Sequence, residues 1–374
     1  MVLIGITITL TYLFLIGSFV YGFDKIETFK LRDIPVKTVF SVIIPFRNEA
    51  ENIPNLLKSI ENLNYPKSLF EIILVNDESD DHSVEIISSW HQNSNTKIRI
   101  IQNQRSSNSP KKDALTTAIK EAKNDWIITT DADCILPKYW LNTFDAFIQQ
   151  NQTFCIAAPV TYHLETNFLN RFQWLDILSL QGATIGGFGI KKPFLCNGAN
   201  FAYKKDLFLE LSGFEGNTNI ASGDDLFFLE KVIKNHPEKV HYLKSDQAIV
   251  KTNAEPSWKQ LMSQRVRWAA KTTAYKNVFG KLAGVLVFLM NFWIVTALIL
   301  SIFSLFPFKT ALYLLIIKCS IDFYIIFKTA HFFNQVHALK SYILGCVIYP
   351  FFSVYVASLA IFSNYSWKGR TFKR

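Results

Sequence analysis

Asp131 and Asp133 stand one residue apart at the end of the β-branched run WIITT, and they are not the only acids so placed. NDESDD (76–81) closes the apolar run FEIILV, and PFRNE (45–49) closes VFSVII. A rim carrying Glu49, Asp77, Asp80, Asp81, Asp131 and Asp133 repels a phosphate unless a cation intervenes. Hard Mg²⁺ or Mn²⁺ resolves the conflict, because it takes oxygen ligands and is shared between one or two carboxylates and substrate phosphates. Read alone, the Asp-Ala-Asp step is a turn with helix-capping acids. With NDESDD at a neighbouring strand end, it reads as a binding site. Neither GxGxxG nor GxxxxGKS occurs, which disfavours dinucleotide and P-loop chemistry. A second acidic pair, Asp224 and Asp225 in ASGDDLFFLEKVIK, stands just before a helical pattern, where the plain reading is an N-cap in a favourable helix dipole.

The elements that position these acids follow from the hydrophobic pattern. VFSVIIP reads as a buried strand, and Ile53, Leu56, Leu57, Ile60 and Leu63 then recur at helical spacing. FEIILV is the next strand, followed by a helix over DDHSVEIISSWHQ that Asp81 or Ser83 opens. KIRII (97–101), DALTTAIKEA and WIITT continue as strand, helix and strand. Such alternation predicts a parallel sheet with helices on both faces. Ligands bind beyond the carboxyl ends of such strands, so the three polar strand ends share one rim. Further on, CNGANFAY (196–203) reads as a strand whose Gly and Ala let an acceptor approach the backbone.

SVIIPFRNEAENI, ILVNDESDD, TTDADC, SGDD and QRVRW, in this order and spacing, resemble the family 2 glycosyltransferases. The resemblance covers roughly residues 38–270. It implies an inverting enzyme of the GT-A fold (α/β, Rossmann-like, a mostly parallel sheet with flanking helices) that uses a nucleotide-diphospho sugar and Mg²⁺ or Mn²⁺. By the same resemblance, Asp77 hydrogen-bonds the nucleobase, and the segment holding Pro45, Arg47 and Glu49 wraps the nucleoside. Lys111 lies near the diphosphate, with Lys112 as its substitute. Asp131 sits against ribose and diphosphate, and Asp133 holds the metal with it. Asp225 is the base that deprotonates the attacking hydroxyl, the role an inverting transfer requires. Gln264, Arg267 and Trp268 match the family's QxxRW and, with Arg265 and Asp224, serve the acceptor and diphosphate. One departure is NDES where the family usually has Asp-Asp-Gly-Ser, which puts the loop near the base in question.

Charged residues are only 18% of the 374 and hydrophobic ones 49%, so part of the chain belongs in lipid. Residues 2–23, 282–308 and 341–367 carry no charge, and each is long enough to cross roughly 30 Å of hydrocarbon as a helix. A fourth stretch, 310–327, contains Lys318 and Asp322 and spans only if they face each other or neighbouring helices. The expected organisation is a transmembrane helix over 1–23, a catalytic domain over 36–280 with an amphipathic interfacial helix near 257–275, and three helices over 282–367. The first run lacks a basic n-region and a good cleavage site, so it reads as an uncleaved anchor. Lys25, Lys30, Arg32 and Lys37 follow it, which puts the middle domain in the cytoplasm and the chain in the cell (inner) membrane. The tail WKGRTFKR conflicts with three C-terminal spans: either one segment is re-entrant or interfacial, or the tail defies the rule.

A net charge of +9 suits phosphate-bearing ligands or an acidic membrane surface, and no basic run with interleaved aromatics points to nucleic acid. Five scattered cysteines, with no CxxC and no His–Cys cluster, exclude a structural zinc and a disulfide framework. The expected function is a membrane-bound transfer of sugar, from a UDP-sugar, to a hydroxyl of a lipid or lipid-linked acceptor. The alternatives are a polysaccharide synthase and a non-catalytic nucleotide-binding membrane protein.

Overall fold

After a first apolar helix, α1 (Val2–Lys25), strand and helix alternate through β1 (Phe40–Phe46), α2 (Ile53–Glu61), β2 (Phe70–Asn76), α3 (Ser83–Gln92), β3 (Ile98–Gln102), α4 (Pro110–Glu121), β4 (Trp126–Thr129) and α5 (Trp140–Gln150). Strands β5 (Cys155–Ala157) and β6 (Val160–Tyr162) lead to the long α6 (Phe168–Gly189). Then come β7 (Phe201–Lys204), α7 (Lys205–Glu210), α8 (Asp224–Asn235), β8 (Val240–Tyr242) and β9 (Val250–Thr252). Helices α9 (Trp258–Ala270), α10 (Val278–Ile302), α11 (Phe308–Phe332) and α12 (Tyr342–Phe362) follow. The computed structural model describes residues 2–92, 94, 96–163, 167–220, 222–362, 365–367 and 370–372. Lys368, Lys373 and Arg374 of the basic tail lie outside these, as do Ser363 and Asn364 of the apolar stretch 341–367. The chain forms two units: an α/β unit of Glu27–His163 and Cys196–Asn253, and a helical unit of Met1–Ile26, Leu164–Leu195 and Ala254–Arg374. The stretch 164–195, which carries α6, thus packs with the terminal helices although it interrupts the α/β unit in sequence.

In the α/β unit a seven-stranded sheet runs in the order β3-β2-β1-β4-β7-β5-β8. β1 pairs in parallel with β2 and β4, and β2 in parallel with β3, while β7 is antiparallel to β4 and β5. Val42, Ile44, Ile72 and Leu74 are fully buried together with Ile53, Leu56, Leu57 and Ile60 of α2. A sheet covered on both faces selects continuous apolar strands, which is why β1 and β2 read as unbroken runs. Ser41, the polar exception in β1, donates to Glu71 Oε1 of β2 at 2.7 Å. The strand order reverses at β1, and a crevice for ligand opens beside such a switch point at the carboxyl ends of the strands.

CNGANFAY is a strand only from Phe201. Its first part is a 3₁₀ turn over Gly198–Asn200, held by side chains rather than by a ladder. Asn197 accepts from the Ala199 amide, Asn200 donates to the Pro159 and Ala248 carbonyls, and Trp140 Nε1 donates to Asn200 Oδ1. A small parallel pair, β6 with β9, and a bridge between Ile135 and Lys251 tie the segment after β4 to β9.

Among the described residues of the helical unit, four helices are long and apolar enough to cross a membrane: Val2–Lys25, Val278–Ile302, Phe308–Phe332 and Val336–Ile361. At about 1.5 Å per residue, helices of this length exceed a hydrocarbon core. α1 and α11 have their C-terminal ends together, joined by Lys328 and Asp24 at 2.7 Å. Midway along them Lys318 pairs with Asp322 at 2.9 Å, one turn on, and Tyr12 of α1 donates to Asp322 at 2.7 Å. Lys318 is 2% exposed. The two charges that weakened this stretch as a span therefore answer each other and a neighbouring helix. Tyr342, at the start of α12, donates to the Cys319 carbonyl of α11, and Val356 and Ala360 near its end pack against Val266 of α9.

Lys318→Ala leaves Asp322 without its counter-charge inside the bundle, an expected loss of about 3–5 kcal/mol. The double change Lys318→Leu/Asp322→Leu removes both charges and recovers most of it. Thermal unfolding of the full chain in detergent reads both, and an unchanged melting point for Lys318→Ala would count against the pairing.

Candidate active site

The ends of β1 and β2 are stitched together before they turn away from the sheet. The Asp77 amide donates to the Phe46 carbonyl, and Arg47 Nη1 donates to the carbonyls of Asp77 and Glu78 at 2.7 and 2.8 Å. Asn48 and Glu78 both adopt left-handed backbone, at φ 53° and 57°. Glu78 takes this conformation where the family's usual glycine takes it without a Cβ penalty, at a cost of roughly 1–2 kcal/mol. The loop's own bonds hold it there. Asn48 accepts from the Asp80 amide, Ser79 accepts from the Asn48 amide, and Asp81 accepts from the Ala50 and Ser83 amides. Burial acts to raise the Asp81 carboxyl, but its hydrogen bonds to Ser83 and Ala50 prevail and keep it below the usual carboxylate range. The Glu49 amide bonds Ser83 Oγ, and its carboxylate accepts from Asn52.

Asp77 is buried at the head of β2, where its Oδ1 accepts from Asn103 Nδ2 at 2.7 Å and Arg105 Nε at 2.9 Å. Arg105 also reaches Glu78 at 2.9 Å. Neither Asn103 nor Arg105 was expected at the site from sequence. The signal was present, since both follow β3, a further strand end on the same rim.

β4 delivers Asp131 and Asp133. Lys111, in the first turn of α4, meets Asp131 Oδ1 at 2.6 Å and lies 3.7 Å from Asp224 Oδ2. The start of α4 is fixed by Asp113, which accepts from the amides of Ser106 and Ser107 at 3.1 and 2.9 Å. Burial alone would lower the Lys111 ammonium, but the carboxylates of Asp131 and Asp224 outweigh it and hold the group well above the usual lysine range. Lys112 does not stand in for it. Successive helical residues point about 100° apart, and Lys112 turns inward to donate to the carbonyls of Asn217 and Ile220 at 2.7 and 2.8 Å. Asp133 Oδ2 accepts from Thr252 Oγ1 at 2.9 Å, a partner that β9 supplies through its bridge to residue 135.

The N-cap of α8 is Gly223, at φ 84°, with no side-chain cap. Asp224 is therefore the first helical residue, not the cap, and its buried carboxylate faces Lys111. Asp225 Oδ2 accepts from the Gly198 amide at 2.9 Å and Oδ1 from the Leu226 amide at 2.8 Å. A Cβ at Gly198 would meet Asp224 Oδ2 at 3.1 Å, so a side chain there would require the carboxylate to shift by a few tenths of an ångström. Thr129, Gly198, Phe201, Tyr203, Asp224 and Asp225 line one small cleft.

Gln264, Arg265, Arg267 and Trp268 all lie on α9, in the helical unit. Arg265 is committed there: its Nε donates to Asp176 Oδ2 at 2.6 Å, and its guanidinium lies 4.1 Å over the Trp268 ring. Asp176 was not expected from sequence, and nothing in its spacing signals the pair.

Among the described residues no group of three or more His, Cys, Asp and Glu is arranged to hold a metal. Asp131 and Asp133, both partly exposed, offer two hard oxygen ligands. That donor set fits Mg²⁺ or Mn²⁺ when substrate phosphates and water complete the shell.

A mostly parallel α/β sheet with acids at the ends of β1, β2 and β4 is the GT-A type of domain, and residues 41–211 match the family model described as Glycosyl transferase family 2. The α/β unit is a glycosyltransferase domain of that family. The chain is 30% identical over 241 residues to a probable glycosyltransferase of Bacillus subtilis, YdaM, covering 61% of this chain and 54% of that one. It is 24% identical over 269 residues to the poly-beta-1,6-N-acetyl-D-glucosamine synthase of Staphylococcus epidermidis, covering 68% of this chain and 61% of that one. It thus spans little more than half the length of these two relatives. A solved mannosyltransferase from Pyrobaculum calidifontis, in complex with GDP-Man and Mn²⁺, shares the fold at TM-score 0.61 and 17% identity over 96% of this chain and 99% of that one.

A lysine held high in pKa contributes stability that is fully present below its unfolded value near 10.4 and is lost only as pH rises through the folded value. The melting difference between the native chain and Lys111→Gln should therefore be constant from about pH 6 to 9. A difference that shrinks within that window would show that Lys111 is not the paired cation described above.

Proposed function

We propose that the chain is a membrane-bound inverting glycosyltransferase that moves a sugar from a nucleotide-diphospho donor, a UDP-sugar, to a hydroxyl of a lipid or lipid-linked acceptor. One observation carries this reading: Lys111 joins Asp131, at the end of β4, to Asp224 at the start of α8, so that Asp131 and the Asp224–Asp225 pair share one cation. In this reading Asp77, with Asn103 and Arg105 around it, receives the base, and Arg47 and Glu49 shape the loop along the nucleoside. Pro45, paired with Val75 in the sheet, fixes where that loop begins. Asp131 and Asp133 hold Mg²⁺ or Mn²⁺ together with the diphosphate. That ion supplies charge neutralisation for the departing nucleoside diphosphate. Asp225 takes the proton from the acceptor hydroxyl as its oxygen bonds to the anomeric carbon and the bond to the diphosphate breaks. The Gly198 and Leu226 amides hold the Asp225 carboxylate in place for that transfer.

The four apolar helices support membrane attachment, and the basic residues after α1 support a cytoplasmic catalytic unit in the cell membrane. A polymer product is the second reading, supported by the likeness to the poly-N-acetylglucosamine synthase. Sizing the radiolabelled product separates the two, since a single transfer gives one discrete species and a synthase gives a ladder.

Asp225→Asn should lower kcat by about 10²–10⁴ with donor KM nearly unchanged, the loss expected of a positioned base. Asp224 is not a simple cap, so Asp224→Asn is no mild control. It removes a buried carboxylate beside Lys111 and should lower the melting point and raise donor KM. If Asp225→Asn keeps full kcat, the base lies elsewhere.

Turnover should stop in excess chelator and return with Mn²⁺. Asp133→Ala should abolish that metal response while the melting curve of the full chain keeps its shape. Undiminished turnover in chelator would remove the metal from the proposal.

A further inference from the structure

Of the QRVRW side chains on α9, Arg265 is gripped by α6 directly and Gln264 through Glu255, which α6 holds by its backbone. Arg265 Nε donates to Asp176 Oδ2 at 2.6 Å, with the two side chains 6% and 5% exposed. The other oxygen of Asp176 accepts from Tyr349 Oη of α12 at 3.1 Å. Three residues earlier on α6, Gln173 donates to the Glu255 carbonyl at 2.9 Å and accepts from the Glu255 amide at 2.8 Å. Glu255 Oε1 accepts from Gln264 Nε2 at 2.6 Å, and Gln264 Oε1 accepts from Arg265. The Arg265 guanidinium then lies 4.1 Å over the ring of Trp268. Phe172 closes the apolar side, with Trp258 and Phe352 at 5.2 and 5.1 Å between ring centroids.

An ion pair this buried gains little over well-packed apolar residues of the same volume. What it adds is direction. A guanidinium fixed by a carboxylate has a defined plane, and an indole stacked on that plane is fixed with it. A leucine pair would hold α9 against α6 as firmly and leave the indole free to turn.

We propose that Asp176, with Gln173 one turn before it, is a positioning residue for the Gln264–Trp268 segment, acting through Arg265 to set the orientation of Trp268. The consequence for transfer rests on the glycosyltransferase reading; the positioning itself does not.

The test uses the full chain in lipid nanodiscs, with two measurements. The first is nucleotide release from a panel of UDP- and GDP-hexoses with Mn²⁺ and added membrane lipid extract. The second is amide hydrogen exchange over residues 258–270. Asp176→Asn should lower kcat by about 10²-fold, the order expected when a reacting partner is misplaced by an ångström. Donor KM should stay unchanged, exchange in α9 should rise and exchange in β1–β4 should not. Asp176→Glu should restore most of the rate. The singles Asp176→Ala and Arg265→Ala should be no milder than their double, as coupled residues require. If Asp176→Asn fails to fold, Arg265→Lys carries the test: it keeps the charge, loses the flat guanidinium and should show the same kcat loss.

Full kcat with unchanged α9 exchange in Asp176→Asn overturns the proposal, and so does an additive double. Full turnover by Trp268→Ala also overturns it, because there is then nothing for Asp176 to position. If no donor turns over even in the native chain, the glycosyltransferase reading fails, and the α9 exchange still decides the positioning.

Discussion

Carboxylates drawn together at the edge of a sheet need counter-charge, and at the head of β4 Lys111 supplies one. Lys111 stands between Asp131 and Asp224, groups from β4 and α8 that are 93 residues apart in sequence, counting from 131 to 224. For it to do so, α4 must begin at a fixed place, which Asp113 arranges through Ser106 and Ser107. β7 must also lie beside β4, so that Gly198 can bring its amide to Asp225.

The strand ends were legible because a sheet buried on both faces leaves unbroken apolar runs, and the first polar residue after each marks the rim. Val42 to Ile44 and Ile72 to Val75 show this directly, being wholly buried. The charges inside 310–327 were legible as a condition, and the ion pair between Lys318 and Asp322 meets it by helical spacing alone. What sequence could not supply was phase and distance. Lys111 and Lys112 are neighbours whose roles separate only when α4 has a definite rotation. Arg105 finds Asp77 from 28 positions away, and Arg265 finds Asp176 from 89. No local pattern encodes such pairs.

The departure at NDES shows how a loop can keep a conformation while losing the residue that favours it. Glu78 sits in left-handed backbone, held by Arg47 on its carbonyl and Arg105 on its carboxylate. The cost is confined to one residue, and the same two arginines frame Asp77. The strained position and the buried Asp77 are thus stabilised by shared contacts rather than separately.

In the helical unit, α1 and α6 meet at three glycines. A Cβ on Gly22 would overlap the Gly186 carbonyl, one on Gly186 would overlap the backbone of Phe19, and one on Gly189 would overlap Gly22 itself. Two backbones this close leave no room for even a methyl group, the geometry that small residues permit between helices in lipid. The consequence is that no partner can shrink to relieve a substitution here, because glycine cannot become smaller. A side chain at any one of the three meets backbone across the contact and must push the two helices apart.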